Sequence, residues 1–162
     1  MRNEIERKFF VKQLPSLEGI EPIYYERYIL SNENGKEIRV QKLGNSYVYE
    51  EKIDVSGLER ARTKKEISKE KFDELRIKSN NKAIIRDRYN ISSNPDISIQ
   101  IYKGDFDGLI RAEVEFENEH DAQKFEPSPW MGAEMTGLPI ARDANLVGLS
   151  RSDFENYLGN RF

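Results

Sequence analysis

The sequence predicts a mainly β fold of the α+β class, in which antiparallel strands form a closed or nearly closed barrel with a few helices outside it. Segments that alternate apolar and polar residues recur at short spacing along most of the chain. Pairs such as Gly44-Asn45 and Asp107-Gly108 separate several of these segments and are typical of hairpin turns. Helical patterns are few and short. Because no linker divides the 162 residues, we expect one domain over residues 1–162.

Eight segments have the period-two alternation of a strand. In chain order they are Asn3–Val11, Ile23–Leu30, Lys36–Leu43, Ser46–Ile53, Arg60–Ile67, Ala83–Ile91, Asp96–Lys103 and Leu109–Glu117. In the seventh, isoleucines share one side while Ser98, Gln100 and Tyr102 share the other. The region Glu126–Leu149 is rich in Pro and Gly, so we expect it to be irregular.

Three helices are predicted to interrupt or follow the strands. Ser68 is a suitable N-cap for a helix over Lys69–Lys78. A second short helix is expected over Glu119–Phe125. Ser152 with Glu155 fits a capping box that opens a last helix.

The composition excludes several classes of site. Without cysteine the chain has no disulfide or thiolate site, and a single histidine, His120, disfavours an imidazole-based one. Any metal must therefore bind carboxylates, which favours Mg²⁺ or Mn²⁺. The net charge of −3 gives no general attraction to nucleic acid. We expect a cytoplasmic protein that forms no membrane span and no stable nucleic-acid complex, because long apolar runs and a signal peptide are missing.

The first predicted strand carries the pattern Glu4-x-Glu6-x-Lys8 on one face. Its two carboxylates stand about 7 Å apart along the strand and repel each other. A divalent cation between them would relieve that repulsion, and the lysine would suit an anion held on the same cation. A solvated strand face can also carry this pattern.

Charged rows recur on the other predicted strands. They consist of Glu37, Arg39 and Gln41; Glu50 and Lys52; Arg60, Arg62, Lys64 and Glu66; Arg86 and Arg88; and Arg111, Glu113, Glu115 and Glu117. Two architectures explain them. An open antiparallel sheet would expose the charged face to water. A closed sheet would enclose it, and would then need a charged ligand and a metal to compensate the buried charges.

The charged motifs together resemble the CYTH superfamily, the triphosphate tunnel metalloenzymes. The resemblance rests on their order and spacing: Glu4-x-Glu6-x-Lys8, Arg39, Lys52, Arg86-x-Arg88 and Glu113-x-Glu115. Shorter matches support it at Gly57-Leu58, Gly108-Leu109, Pro129-Trp130-x-Gly132-x-Glu134-x-Thr136-Gly137 and Asn145-Leu146. The similarity covers about residues 1–150.

This resemblance implies an eight-stranded antiparallel closed barrel, a tunnel that holds a triphosphate with divalent cations. The implied metal ligands are Glu4, Glu6, Glu113 and Glu115, with Glu66 as an additional ligand or partner. The residues implied to hold phosphate oxygens are Lys8, Arg39, Lys52, Arg60, Arg86 and Arg88. Those implied to act in catalysis are Lys8, Lys52, Arg86 and Tyr28. Tyr28 would orient a water molecule, and a packed barrel tyrosine is the alternative.

Some positions depart from the family pattern. Arg62 and Lys64 stand where acidic residues are usual, and Gln41 and Gln100 replace a common arginine and aspartate. The expected function is metal-dependent hydrolysis of inorganic tripolyphosphate to pyrophosphate and phosphate. The alternatives are a nucleoside or thiamine triphosphatase, an adenylate cyclase, or a non-catalytic barrel that binds polyphosphate or nucleotide. The sequence leaves the oligomeric state open, with a homodimer as one option.

Overall fold

Antiparallel strands make up most of the protein. The computed structural model describes residues 2–79 and 82–160. Its strands are β1 (Arg2–Val11), β2 (Ile23–Glu33), β3 (Lys36–Leu43), β4 (Ser46–Asp54), β5 (Glu59–Glu66), β6 (Ile84–Ser92), β7 (Asp96–Lys103), β8 (Ile110–Phe116) and β9 (Met131–Glu134). Its helices are α1 (Lys69–Ile77), α2 (Glu119–Lys124), α3 (Asp143–Leu146) and α4 (Arg151–Gly159). None of these helices is long and apolar enough to cross a membrane.

The first eight strands close into a ring. Their order is β5-β4-β3-β2-β6-β7-β8-β1, and β1 also pairs with β5. The first half of β1 faces β5, with Glu4 opposite Arg60, and the second half faces β8, with Lys8 opposite Glu113. Every pairing in the ring is antiparallel. The predicted closed sheet is confirmed, and the open-sheet alternative is wrong.

Local sequence explains the hairpins and caps. The β2–β3 turn holds Asn34 and Gly35 at φ of 52° and 75°, a backbone that Asn-Gly pairs adopt readily. Ser68 caps α1 as predicted, accepting a hydrogen bond from the Lys71 N–H. The cap of the last helix is Ser150, which accepts from the Asp153 N–H. The predicted capping box at Ser152 is therefore wrong by two residues.

The ninth strand was not predicted. Strand β9 lies inside the Pro- and Gly-rich region and pairs with the end of β1, Met131 opposite Val11. Four residues that include Gly132 carry too little alternation to mark a strand. This strand brings the C-terminal segment against β1, where the Met135 N–H donates to the Lys8 carbonyl at 2.9 Å.

One apolar cluster covers the outer face of the ring. Alternate residues of β1 and β8 are buried there beneath α2 and the loop before β9, and they are Ile5, Phe9, Val11, Ala112, Val114 and Phe116. Their outward position leaves the polar residues of the same strands facing the interior of the ring.

A second apolar cluster covers one end of the ring. Phe10, Ile29 and Ile84 lie on the inner side of their strands, because each pairs across the sheet with an inward-facing arginine. They pack against the C-terminal segment through Met135, Ile140, Ala141, Ala144 and Leu146. The ring is therefore a tunnel with a mouth at the other end, where β5 finishes and β6 meets β7.

Candidate active site

The charged rows of the strands meet inside the tunnel. A cavity of about 50 Å³ is lined by side chains from β1 to β6 and β8, together with one from α3. Among the described residues its lining holds ten basic and five acidic side chains. The whole chain has a net charge of −3, so this interior reverses the sign of the protein's overall charge.

All six basic residues predicted to hold phosphate line this cavity: Lys8, Arg39, Lys52, Arg60, Arg86 and Arg88. The first five are buried and Arg88 is half-buried. The cavity lining also holds basic side chains that were not among the predicted phosphate-binding residues, and Arg111 and Arg27 are two of them. Arg111 belongs to the charged row of β8, and Arg27 lies on the same face of β2 as Tyr25. The period-two pattern alone would have placed both on the inner face.

Arg86 has buried donors without a hydrogen-bond partner. Its Nε and Nη1 atoms are buried without a hydrogen-bond partner. Its guanidinium group lies 4.4 Å from the centre of the Tyr25 ring, and its Nε lies 3.5 Å from Asp143 Oδ2. Buried donors without partners are costly, and they suit an anion that enters the cavity.

Burial changes the proton affinity of Lys8. Desolvation lowers the pKa of Lys8 to about 8, although the neighbouring Glu6 carboxylate opposes that shift. Lys8 Nζ donates to the Ala141 carbonyl at 2.9 Å and lies 3.3 Å from Glu6 Oε1. Lys8 is therefore a group that can gain or lose a proton near neutral pH.

The predicted acidic ligands come together in part. Glu4, Glu6 and Glu113 line the cavity, with Glu4 held by Lys52 at 2.7 Å and Arg62 at 3.1 Å. Burial alone would raise the pKa of Glu4, but these two cations outweigh it and lower the pKa.

Glu115 is half-buried and pairs across the sheet with Glu6, so it faces inward, but it lies beyond the cavity, toward the end of the ring where Asp96 begins β7. Glu66 is exposed at the far end of β5, opposite Val48, so the structure does not bring it to the other carboxylates. The prediction of Glu66 as a ligand is corrected: it shares the inward side of its strand but lies beyond the cavity.

The carboxylates fit a cation at one point. Glu6 and Glu113 lie side by side, and Glu6 Oε2 is buried without a hydrogen-bond donor. Burial disfavours the charged form of Glu113, but Lys8 and Arg88 hold its pKa well below the usual range. A pair of carboxyl groups with a free buried oxygen suits a hard divalent cation, which takes oxygen ligands. In residues 2–79 and 82–160, no three acidic side chains converge as a metal cage in their present arrangement.

A second cavity gives access to this acidic corner. It has a volume of about 260 Å³ and opens between the Gly57-Leu58 turn and the Thr136–Pro139 segment. Glu4, Glu6 and Lys8 line its inner wall and are shared with the tunnel. Water and ions therefore reach the carboxylates from the side as well as through the mouth.

Sequence comparison agrees with this geometry. An inorganic triphosphatase from Nitrosomonas europaea is 30% identical over 136 residues, which are 82% of this chain and 89% of that protein. The chain belongs to the CYTH superfamily, the triphosphate tunnel metalloenzymes.

Solved structures share the CYTH fold seen here. The crystal structure of the inorganic triphosphatase NE1496 is 24% identical, with a TM-score of 0.68 over 93% of this chain and 97% of that one. The PH1012 protein from Pyrococcus horikoshii is 17% identical, with a TM-score of 0.56 over 98% of this chain and 99% of that one. The chain matches none of the protein-family models with which it was compared.

The CYTH tunnel does not include Tyr28. This side chain lies on the outer face of β2, where its hydroxyl donates to Glu26 at 2.9 Å and its ring packs edge-on against Phe72 of α1. The predicted role in orienting water is corrected, because the hydroxyl is on the other side of the sheet from the cavity. The alternative of a packed barrel tyrosine describes its position.

The sequence interpretation missed Asp143, the acidic residue that α3 contributes to the CYTH tunnel. Its Oδ2 accepts from Arg27 at 2.7 Å, and its Oδ1 accepts from the Tyr102 hydroxyl at 2.6 Å. Burial alone would raise the pKa of Asp143, but Arg86, Arg111 and Arg27 hold it well below its usual range. Nothing in the local sequence marks this residue, because its partners lie on distant strands.

Proposed function

We propose that this protein hydrolyses inorganic tripolyphosphate to pyrophosphate and phosphate inside the tunnel. The observation that carries the proposal is the excess of basic over acidic side chains in an enclosed interior. An excess of buried positive charge is unstable without an anion of high charge, and a phosphate chain supplies several charges in a row. No large apolar wall lines the cavity, which favours an inorganic chain over an organic triphosphate.

The proposed binding mode follows from the side chains. Arg86 presents unpartnered donors, and arginine forks suit pairs of phosphate oxygens. Lys8 on β1 and Lys52 on β4 act as point charges on either side of β5. Transfer of a phosphoryl group needs positioning and charge stabilisation more than covalent chemistry, so these contacts supply the main catalytic effect.

We infer that Glu6 and Glu113 hold a divalent cation, with Mg²⁺ or Mn²⁺ favoured by an all-oxygen donor set. Glu4 would join them once it exchanges its contacts with Lys52 and Arg62. When bound, such a cation neutralises phosphate oxygens and lowers the pKa of a water molecule. Glu115 lies nearer the tunnel mouth and would act through Glu6.

Lys8 supports a proton transfer in this proposal. Because its pKa is about 8, Nζ carries a proton at neutral pH that it can give to the leaving phosphate oxygen. Lys52 is buried beside the path of the substrate, and its positive charge acts on the same end of the phosphate chain. Arg86 does not deprotonate in a protein, so it acts through its charge and its hydrogen bonds and not as an acid.

Hydrolysis is tested by phosphate release from tripolyphosphate, ATP and thiamine triphosphate, each with Mg²⁺, Mn²⁺ or EDTA. We expect tripolyphosphate to be hydrolysed fastest and EDTA to abolish the reaction. Cyclic AMP formed from ATP would point to a cyclase instead. Tight binding of tripolyphosphate without turnover would indicate the non-catalytic barrel, for which the contact of Arg62 with Glu4 is the structural argument.

A further inference from the structure

Asp143 lies among the buried arginines at the end of the tunnel that the C-terminal segment covers. Its side chain is 1% exposed and contacts Arg27, Arg86 and Arg111, three arginines from three different strands. The adjacent Ala141 carbonyl accepts from Lys8 at 2.9 Å and from Arg111 at 2.8 Å. The C-terminal segment thus places two acceptors where basic groups from opposite walls converge.

These acceptors are held firmly in place. Ile140, Ala141, Ala144 and Leu146 are buried in the apolar cluster that covers this end of the ring. The Lys8 N–H donates to Thr136 Oγ1 at 2.8 Å, and Arg142 reaches Asp54 at 2.9 Å. The segment is bonded to β1 and to the end of β4, so it does not have the loose attachment of a mobile lid.

We propose that Asp143 is a built-in anion that limits the number of phosphates the tunnel can hold. Its carboxylate takes the contacts with Arg27 and Arg111 that a further phosphate group would otherwise make, and its charge repels that group. A longer polyphosphate would then extend from the open mouth and gain no further contact. This inference rests on the proposed function, which supplies a phosphate chain as the ligand.

Charge predicts how removing the Asp143 carboxylate changes the affinity for a longer phosphate chain. Removing the carboxylate leaves three buried arginines without their shared counter-ion, and buried cations then favour an external anion. The vacated place would accept one more phosphate group through charge-assisted hydrogen bonds. Asp143 is a positioning residue for the arginines and a determinant of chain length, and it does not touch the reacting atoms.

Equilibrium binding in EDTA tests the inference without turnover. Pyrophosphate, tripolyphosphate and tetrapolyphosphate are titrated by calorimetry into the wild type, Asp143→Ala and Asp143→Asn. Asp153→Asn makes the same charge change on the exposed face of α4 and serves as the control. Circular dichroism establishes that each variant is folded.

For the wild type we expect affinity to rise from pyrophosphate to tripolyphosphate and then to level off. In Asp143→Ala the preference for tetrapolyphosphate over tripolyphosphate should rise by about tenfold, the effect of one charge-assisted contact. Asp143→Asn should move the same ratio in the same direction by less, because its amide still accepts one bond. Asp153→Asn should leave it unchanged.

Two results would overturn the inference. One is an unchanged ratio in a folded Asp143 variant. The other needs no variant: wild-type protein that binds tetrapolyphosphate tenfold or more tighter than tripolyphosphate has no limit at Asp143. Wild-type protein that binds none of the three anions would contradict the proposed function itself, which separates the two failures.

Discussion

Replacing Arg86 with methionine should weaken triphosphate binding without destabilising the fold. Two buried N–H groups of Arg86 have no partner, and each such group costs about 1–3 kcal/mol. Loss of the contact with the Tyr25 ring, 4.4 Å away, offsets up to about 2 kcal/mol of that gain. Loss of the ion pair between Arg86 Nε and Asp143 Oδ2, 3.5 Å apart, also opposes the gain, although Asp143 keeps Arg27 and Arg111. The free energy of unfolding should therefore stay within about 1 kcal/mol of the wild type. The dissociation constant for tripolyphosphate should rise about tenfold to a hundredfold, because charge-assisted bonds are lost.

Arg111→Met is the matched comparison for Arg86→Met. Arg111 is equally buried, but its donors bond to Gln100, Ala141 and Asp143. Removing it should lower the free energy of unfolding by about 3 kcal/mol or more, because its partners lose their donors. Urea unfolding and calorimetric titration measure both quantities. Equal destabilisation by the two variants, with unchanged affinity in Arg86→Met, would refute the argument that Arg86 is kept for the ligand.

Three further predictions concern single side chains. Burial alone would raise the pKa of Glu37, but Arg39 and a second arginine outweigh it and lower the pKa to about 2. Glu37 therefore stabilises the fold fully above its ordinary pKa of 4.5, and this contribution is lost as the pH falls through about 2. As the pH falls between these two values, the free energy of unfolding of the wild type should decrease by ~3 kcal/mol more than that of Glu37→Gln. Glu6→Gln should lower metal-dependent turnover at least about a hundredfold, and the exposed Glu117→Gln should not. Tyr28→Phe should leave kcat and KM unchanged. A large decrease in kcat would show that Tyr28 acts in catalysis and would contradict its placement outside the site.

Alternation along the strands predicted much of the tunnel. Inward-facing residues such as Lys52 and Arg88 follow from period two, because neighbouring positions on a strand point to opposite faces. Closure of the sheet did not follow from that pattern, since an open sheet with one wet face alternates in the same way. Closure is a long-range property, which the structure achieves by pairing β1 with both β5 and β8, and the family resemblance predicted the closure but not these partners.

The C-terminal part of the site was beyond local patterns. Asp143 contacts Arg27 across 116 residues of sequence, and it lies in a segment with no regular periodicity. Glu66 was predicted to lie at the site but does not. Alternation showed which face of the strand Glu66 is on, and it did not show how far along the tunnel the residue lies. The capping residue of α4 was misplaced because Ser150 and Ser152 are both suitable N-caps two residues apart.

A crystal structure of the protein soaked with tripolyphosphate and Mn²⁺ tests the central claim most directly. We predict the phosphate chain inside the ring, with Arg86 and Lys8 on its oxygens and the cation beside Glu6 and Glu113. Tripolyphosphate bound only on the outer surface of the ring, with no phosphate oxygen on Arg86 or Lys8, would contradict the account.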